Sequence, residues 1–218
     1  MTITAEQNLM RIAVATWSRR RVGGVEEYLT GLIPALRAAG HEVMLWHEVD
    51  EPADRDPIPV PQEVPLIGAG NVGTDVALQA LRKWEPDIIY AHGLLDLDVE
   101  KKVLEVAPSV AFVHGYAGMC ISGGKTFTRP TVIPCVRVFG WPCLLHYFPH
   151  GCGGRSPVTM WRQFRQQQDQ LSALGRYHAI LTHTDYMRGQ LVKHGLPAEV
   201  VVFPVPSPSA GPAKRPAR

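Results

Sequence analysis

The sequence lacks several features that would place it outside the ordinary globular proteins. It has no run of about 18 uncharged apolar residues, which argues against a membrane-spanning helix. Charge of one sign is also scarce: 22 basic and 20 acidic residues leave a net charge of +2, which does not favour binding along nucleic acid. Residues 1–10 have neither the basic start nor the apolar block of a signal peptide, so we expect a cytoplasmic chain with reduced cysteines.

The residues that are present can build one domain with a substantial core. Of 218 residues, 45% are hydrophobic and 19% charged, which excludes disordered and fibrous classes. The 19 prolines and 20 glycines imply long loops. We expect residues 1–10 to be a disordered N-terminus and residues 11–206 to form the domain. Residues 207–218 have no apolar periodicity and are expected to be a disordered tail or linker.

Short apolar runs alternate with amphipathic segments along the domain. The predicted strands are 11–17, 43–46, 88–91, 110–113, 179–182 and 200–203, and the predicted helices are 25–36, 73–84, 98–106, 156–174 and 185–194. Residues 48–65 are acidic and rich in proline, which predicts a loop with one short edge strand. The alternation predicts an α/β fold with an open, mostly parallel Rossmann-like sheet and helices on both faces.

Histidines follow three of the predicted strands. His92 and His114 each come directly after a strand and before a glycine, and His183 follows the strand 179–182. Since ligand sites of open α/β sheets lie at the carboxyl ends of strands, we predict that His92 and His114 share a cleft. There the imidazoles of His92 and His114 could bond a ligand hydroxyl or move a proton near neutral pH, and we expect His183 to bind substrate or phosphate. The alternative is that each histidine is structural or solvated.

The loop after the first strand is a second candidate site. Gly23 and Gly24 lie between this strand and the first helix, where bare backbone amides and the helix N-terminus can hold an anion. Arg21, with its neighbours Arg19 and Arg20, would add positive charge to such a phosphate-binding site. The alternative is an ordinary glycine turn beside solvated arginines.

All four cysteines, namely Cys120, Cys135, Cys143 and Cys152, fall in a loop-rich insertion at about 116–155. They could ligate a structural metal, although their spacing contains no C-x-x-C knuckle. They could also form a redox-sensitive clip, or serve as small buried residues that brace a long loop.

The segment from Gly68 to Gly73 matches the G-x-G-x-x-G fingerprint of dinucleotide-binding proteins. Its position argues against that function, because it follows a proline-broken segment in the middle of the chain instead of the first strand. The next strand also ends in His92, where an acidic residue should meet the ribose. We therefore interpret these residues as loop glycines, and an NAD-dependent oxidoreductase stays a minor alternative.

Taken together, these motifs resemble the N-terminal half of a family-four GT-B glycosyltransferase. The resemblance rests on the order of several short segments: Arg11–Val14, Gly23-Gly24, Ala38–Val43, Pro86–Gly93, Val113–Gly115 and Thr182–Asp185. It covers about residues 11–206, and the cysteine-bearing insertion also resembles one found in some bacterial members.

The resemblance implies a retaining transfer of sugar from a nucleotide-sugar to a sugar, a lipid-linked molecule or another small-molecule acceptor. The N-terminal half of such enzymes usually binds the acceptor. By similarity, Gly23-Gly24 would approach the donor diphosphate, and His114 the transferred sugar or the acceptor. The fold itself requires no cofactor.

The sequence departs from the family pattern where the donor-binding half of the family is concerned. The donor-binding half of the family carries two glutamates eight positions apart, and no glutamates here have that spacing. Only twelve residues follow Pro206. We therefore expect no sugar transfer without a C-terminal donor-binding half, supplied in cis or in trans, and self-association through the open cleft. The alternative is a stand-alone, non-catalytic carbohydrate- or nucleotide-binding module.

Overall fold

A computed structural model describes residues 9–21, 23–49, 56–196 and 200–202. Its strands are β1 (Arg11–Thr16), β2 (Glu42–His47), β3 (Leu66–Gly68), β4 (Ile88–Ala91), β5 (Ser109–Val113), β6 (Thr126–Phe127), β7 (Ile133–Pro134), β8 (Ala179–Thr182) and β9 (Val200–Val202). Its helices are α1 (Gly24–Ala38), α2 (Ala69–Val72), α3 (Thr74–Trp84), α4 (Leu97–Leu104), α5 (Pro142–His146), α6 (Pro157–Leu174) and α7 (Asp185–Lys193).

Seven strands form one parallel sheet in the order β3-β2-β1-β4-β5-β8-β9. This confirms the predicted open α/β fold. From β1 the chain builds outward to β2 and β3, and it then returns to place β4 on the other side of β1. The reversal puts a topological switch point between β1 and β4, and ligands of such sheets bind at this point, outside the carboxyl ends of the strands.

The two faces of the sheet are covered by different helices because side chains alternate along each strand. Ile12 and Val14 of β1 face one side, where they pack in a cluster with Leu29 and Ile33 of α1. Ala13 and Ala15 point to the opposite side and pack with α3. Both faces of β1 are therefore apolar, as its near-continuous hydrophobic run predicted.

Local side-chain chemistry and glycine conformation define several helix ends. The Ser156 hydroxyl accepts a hydrogen bond from the amide of Thr159, which caps α6, and Pro157 occupies the first turn. Gly40 and Gly195, which follow α1 and α7, have φ angles of 94° and 72°. Both angles lie in the left-handed region that glycine adopts without strain.

Short elements account for most differences from the sequence prediction. The edge strand lies at 66–68 rather than within 48–65, and the four-residue helix α2 follows it directly. Within the insertion, predicted only as loop, β6 and β7 form an antiparallel hairpin and α5 forms a single short helix. A strand of two or three residues, or a helix of four or five, carries too few positions for a periodic signal.

The two predicted disordered segments lie almost wholly outside the described residues, which omit 1–8 and 203–218. Among the described residues, no helix is long and apolar enough to cross a membrane.

Candidate functional site

Three histidine side chains form a hydrogen-bonded chain at the carboxyl edge of the sheet. His92 Nδ1 lies 2.9 Å from His114 Nε2, and His114 Nδ1 lies 3.0 Å from His183 Nε2. The predicted proximity of His92 and His114 is therefore confirmed, and His183 joins them.

The sheet topology brings these residues together. β4, β5 and β8 are parallel strands that lie next to one another in the sheet, and each is followed immediately in sequence by one of the three histidines. The backbone amide of His92 also donates to the carbonyl of Ala15 in β1, which ties this end of β4 to the switch point. Equivalent positions on neighbouring parallel strands thus become neighbours in space.

An aromatic cluster supports the chain from the α1 side. The Tyr28 ring lies 5.0 Å from Phe112 and 5.5 Å from His92 between ring centroids, and it contacts His114 and His183 edge-on at 5.8 and 6.1 Å. Tyr28 Oη lies 3.1 Å from Tyr90 Oη. Because Tyr28 is only 5% exposed, it fixes the three imidazoles from within the core.

All three imidazoles are held in the neutral form near neutral pH. Burial, together with the nearby His114 and His183, lowers the pKa of His92 well below its usual value. Burial and the proximity of His183 lower the pKa of His114 to about 4, and burial lowers that of His183. Each ring therefore carries one N–H, which restricts how the chain can be hydrogen-bonded.

Two proton arrangements satisfy both hydrogen bonds. In one, His92 Nδ1–H donates to His114 and His114 Nδ1–H donates to His183, so that His92 Nε2 is an acceptor and His183 Nδ1 carries a proton. In the other, every bond is reversed. The terminal atoms His92 Nε2 and His183 Nδ1 are buried and have no hydrogen-bond partner among the described residues. One end is therefore always a donor while the other is an acceptor.

This geometry gives His114 a linking position in the histidine chain. Both of its ring nitrogens are used within the chain, so it links the other two histidines and has no ring nitrogen left for a ligand. The atoms available to a ligand are at the ends of the chain, on His92 and His183.

The hydrogen-bonded histidine chain predicts that the protein loses stability in mild acid. Its histidines have lowered pKa values in the folded state, so the unfolded chain binds their protons first, and the stabilisation is complete only above about pH 6.5. As the pH falls from 7 to 5, the shift of His114 alone should lower the free energy of unfolding by about 2 kcal/mol, and that of His92 should add to the loss. Urea unfolding across this range measures the effect.

One variant assigns that pH dependence. His92→Asn removes a member of the histidine chain and should reduce the loss relative to the parent. An equal pH dependence in the parent and His92→Asn would contradict the assignment.

A cavity of about 200 Å³ adjoins the His92 end of the chain. Its walls are mostly apolar and come from the ends of β4 and β5, from α4 and α6 and from the first turn of α1: Val25, Ala91, Leu94, Ala111, Val113 and Leu174 among them. Gln170 also lines it, and the Gln170 Oε1 atom is buried without a hydrogen-bond partner among the described residues. Buried polar atoms normally have a partner, so these two groups point to a hydroxyl-bearing ligand.

A carboxyl group completes the cavity lining. Glu100 is 7% exposed, and its Oε1 accepts a hydrogen bond from the Tyr177 hydroxyl. Burial raises the pKa of Glu100, although the Tyr177 hydrogen bond opposes the shift. Sequence reasoning missed Glu100, Gln170 and Tyr177. The available signal was an acidic residue on the apolar face of α4, between Leu97 and Val103.

A larger groove of about 660 Å³ lies nearby between α4 and α6. It is lined largely by charged and polar side chains, including Asp98, Lys101, Asp169 and Arg176. It shares Gln170 with the smaller cavity but contains none of the three histidines. The smaller cavity is therefore the better candidate for a specific site.

The predicted phosphate loop is occupied by acidic side chains of its own helix. The backbone amide of Gly23 donates to Glu26 Oε2 at 2.8 Å, and Arg21 pairs with Glu27 at 2.9 Å. Glu26 is 3% exposed, so its carboxylate belongs to the helix start. Gly24 has open space around its Cα, but an anion would have to displace these carboxylates. This arrangement disfavours the phosphate-binding role predicted for the loop.

The fold places three of the four cysteines near a buried lysine. All four are free thiols, and the charges of Cys120, Cys135 and Cys143 act on Lys125, which is 3% exposed. The Lys125 ammonium donates to the carbonyls of Met119 and Arg137. Burial and the neighbouring thiols raise the pKa of Cys152 to about 11.

This cluster gives the metal prediction no geometric support. Within the described part of the chain, no group of three or more His, Cys, Asp or Glu side chains is arranged to hold a metal ion. The Lys125 ammonium near Cys120, Cys135 and Cys143 would repel a metal cation. Cys143 and Cys152 pack against an apolar cluster that contains Phe139 and Tyr147. The arrangement agrees with the alternative in which the cysteines brace the insertion.

The fingerprint glycines serve packing in this fold. Gly68 ends the edge strand β3, and a β-carbon there would overlap the imidazole ring of His47. Gly73 has a φ of 87° between α2 and α3, which favours glycine. Both glycines therefore have a structural explanation at the edge of the sheet.

Comparison of the sequence with protein families gives a match over most of the chain. The family model described as Glycosyltransferase Family 4 matches residues 22–206. No curated protein sequence matches the chain.

Several solved structures are similar to this chain, two of them with TM-scores above 0.5. Sucrose-phosphate synthase from Thermosynechococcus elongatus matches with a TM-score of 0.54 and 12% identity, over 89% of this chain and 48% of that enzyme. An α-glucosyltransferase in complex with UDP-glucose and DNA containing an abasic site matches with a TM-score of 0.51 and 15% identity, over 90% of this chain and 43% of that enzyme. A short-chain dehydrogenase/reductase from Veillonella parvula in complex with NADP matches with a TM-score of 0.44 and 10% identity, over 81% of this chain and 70% of that protein.

Proposed function

Because this chain belongs to glycosyltransferase family 4, we propose that it is the N-terminal, acceptor-binding domain of a retaining, nucleotide-sugar-dependent glycosyltransferase. The chain spans less than half the length of the two glycosyltransferases whose fold it shares. The observation that carries the acceptor assignment is the unpartnered His92 Nε2 beside a cavity at the switch point of the sheet.

The cavity suits a compact hydroxyl-bearing group such as a sugar ring. One ligand hydroxyl would donate to His92 Nε2 and a second to Gln170 Oε1, which satisfies both buried acceptors. The apolar walls would pack against the ring carbons. This combination of a few fixed polar atoms with apolar walls is typical of specific small-molecule sites.

In the proposed reaction the acceptor hydroxyl oxygen attacks the anomeric carbon of the donor sugar. The bond from that carbon to the diphosphate breaks, and the hydroxyl proton passes to the departing phosphate oxygen on the same face. The role of this domain is to orient the hydroxyl, and orientation alone contributes strongly to such transfers.

The histidine chain would couple the acceptor to a second group. When an acceptor hydroxyl donates to His92 Nε2, both internal bonds must run towards His183, so that His183 Nδ1 carries a proton. His183 then becomes a hydrogen-bond donor, which suits an anionic oxygen such as that of a phosphate. Acceptor binding at one end thus prepares an anion contact at the other.

We further propose that this polypeptide transfers no sugar by itself. The charge that develops on a departing diphosphate needs an electrostatic clamp, and the loop predicted to contact it already holds Glu26 and Glu27. The required donor pocket and clamp would come from a C-terminal donor-binding half.

The test compares the chain alone with the chain fused to a family-four donor-binding half. With UDP- or GDP-sugars and a cell extract as the acceptor source, the fusion should release nucleoside diphosphate, while the chain alone should release none. Sustained release by the chain alone would contradict the proposal. Acceptor binding without any transfer by the fusion would instead favour the non-catalytic binding module.

A further inference from the structure

The insertion and the following helix have an unusual charge distribution. Residues 106–168 contain six lysines and arginines and no aspartate or glutamate, although the whole chain has a net charge of +2. The rest of the chain, taken together, is therefore acidic by four charges. Five of the six basic residues are exposed: Arg129, Arg137, Arg155, Arg162 and Arg165. None of the ion pairs in the described structure involves them.

The same region exposes large apolar side chains. Nine of the sixteen exposed large hydrophobic residues in the described structure lie here: Val132, Ile133, Val136, Val138, Trp141, Leu145, Phe148, Val158 and Trp161. Leu145 and Val158 are each 78% exposed, and Trp141 is 62% exposed. Scattered surface hydrophobics are normal, but a concentration of them indicates an interaction surface.

Several of these side chains lie together where α5 and α6 meet. The Trp141 and Trp161 rings lie 6.0 Å apart, and both pack on Phe164, so that α5 and α6 are joined. On α6, Val158, Trp161, Arg162 and Arg165 follow helical spacing and lie on one side.

The hairpin side of the insertion adjoins this region. Arg129, Phe148 and Arg155 line one small pocket, and the backbone amide of Arg129 donates to the carbonyl of His150, so the β6 side of the insertion lies beside the segment that follows α5. Phe127 of β6 stacks on His150 with a centroid distance of 4.3 Å. We name this surface, formed by residues 127–165, the basic apolar face.

We propose that the basic apolar face docks on an anionic lipid bilayer. Arginines would lie among acidic headgroups while tryptophan and aliphatic side chains enter the interface, the arrangement of proteins that rest on a membrane without crossing it. A second copy of the chain fits poorly, because a self-complementary interface would bring arginines together with no acidic residue in the face to pair them.

Vesicle flotation of the purified chain tests this proposal. The chain should float with vesicles that contain phosphatidylglycerol, should bind phosphatidylcholine vesicles at least about tenfold more weakly, and should be released by salt. Equal binding to both kinds of vesicle, or to neither, would overturn the proposal.

Two variant pairs locate the contact. Arg162→Glu with Arg165→Glu should reduce binding to anionic vesicles about tenfold or more, whereas Arg82→Glu with Lys83→Glu, an equal charge change on α3, should reduce it much less. Leu145→Ser with Val158→Ser should also weaken binding, while Val76→Ser with Val192→Ser, at other exposed apolar sites, should not. If each double variant on the face lost no more vesicle binding than its control double variant, the assignment to this face would be overturned.

Analytical sedimentation tests the alternative that a second copy of the chain covers the basic apolar face. If the parent chain forms a concentration-dependent dimer that Leu145→Ser with Val158→Ser abolishes, and it does not float with anionic vesicles, the face is an interface between copies and the membrane proposal is wrong. Because vesicle binding requires no sugar transfer, this test is separate from that of the glycosyltransferase proposal.

Discussion

Replacing Tyr28 with alanine should lower the free energy of unfolding by about 4 kcal/mol, the range found when a buried aromatic side chain is removed. Tyr28 is 5% exposed and packs on Phe112 and on all three chain histidines. Its removal would leave a cavity beneath the imidazoles, and the loss would include the bond to the Tyr90 hydroxyl. Urea unfolding at pH 7 measures this loss.

Two further variants separate packing from hydrogen bonding. Tyr28→Phe retains the ring and should lose only about 1 kcal/mol, the usual contribution of one hydrogen bond. Tyr186→Ala removes a tyrosine that is 51% exposed and should change stability by well under 1 kcal/mol, roughly the range of ordinary surface substitutions. A loss in Tyr28→Ala as small as in Tyr186→Ala would show that the aromatic cluster does not hold the histidines.

Replacing His92 with alanine should have the largest effect on function. In the fusion that carries a donor-binding half, we expect kcat/KM for the acceptor to fall about 100-fold, a loss of nearly 3 kcal/mol in transition-state stabilisation. The variant loses the ring nitrogen that faces the cavity, and it also frees His114 Nε2 from its partner. The KM for the nucleotide-sugar should change little, because its binding would depend on the other half.

The fold and the outline of the site could be predicted because they depend on long periodic segments. The apolar runs that became β1, β2, β4, β5 and β8 were long enough to identify. Once the strands are parallel, His92, His114 and His183 must emerge at one edge. Their proximity is thus a consequence of topology.

The details of the site depended on contacts between distant parts of the chain. The sequence could not show that His114 uses both ring nitrogens internally, since this depends on the distances between three loops. Nor could it show that Glu26 takes the Gly23 amide that was expected to hold a phosphate. In both cases the atom predicted to bind a ligand is already hydrogen-bonded to another group of the protein.

The cysteines illustrate a different limit of sequence reasoning. They cluster in the sequence, and the thiols of Cys120, Cys135 and Cys143 act electrostatically on that of Cys152. What spacing could not reveal is the neighbour that Cys120, Cys135 and Cys143 share, the buried ammonium of Lys125. A lysine side chain can reach the centre of a cluster from a turn with no signature of its own.

Sugar transfer by the fusion, compared among the parent, His92→Ala and His41→Ala, tests the central claim most directly. His41 lies just before β2, at the amino ends of the strands, so it is a histidine at the opposite edge of the same sheet. The structure predicts an acceptor kcat/KM about 100-fold lower in His92→Ala and close to the parent value in His41→Ala. Equal acceptor kcat/KM in all three proteins would contradict the claim that the strand-end histidines bind the acceptor.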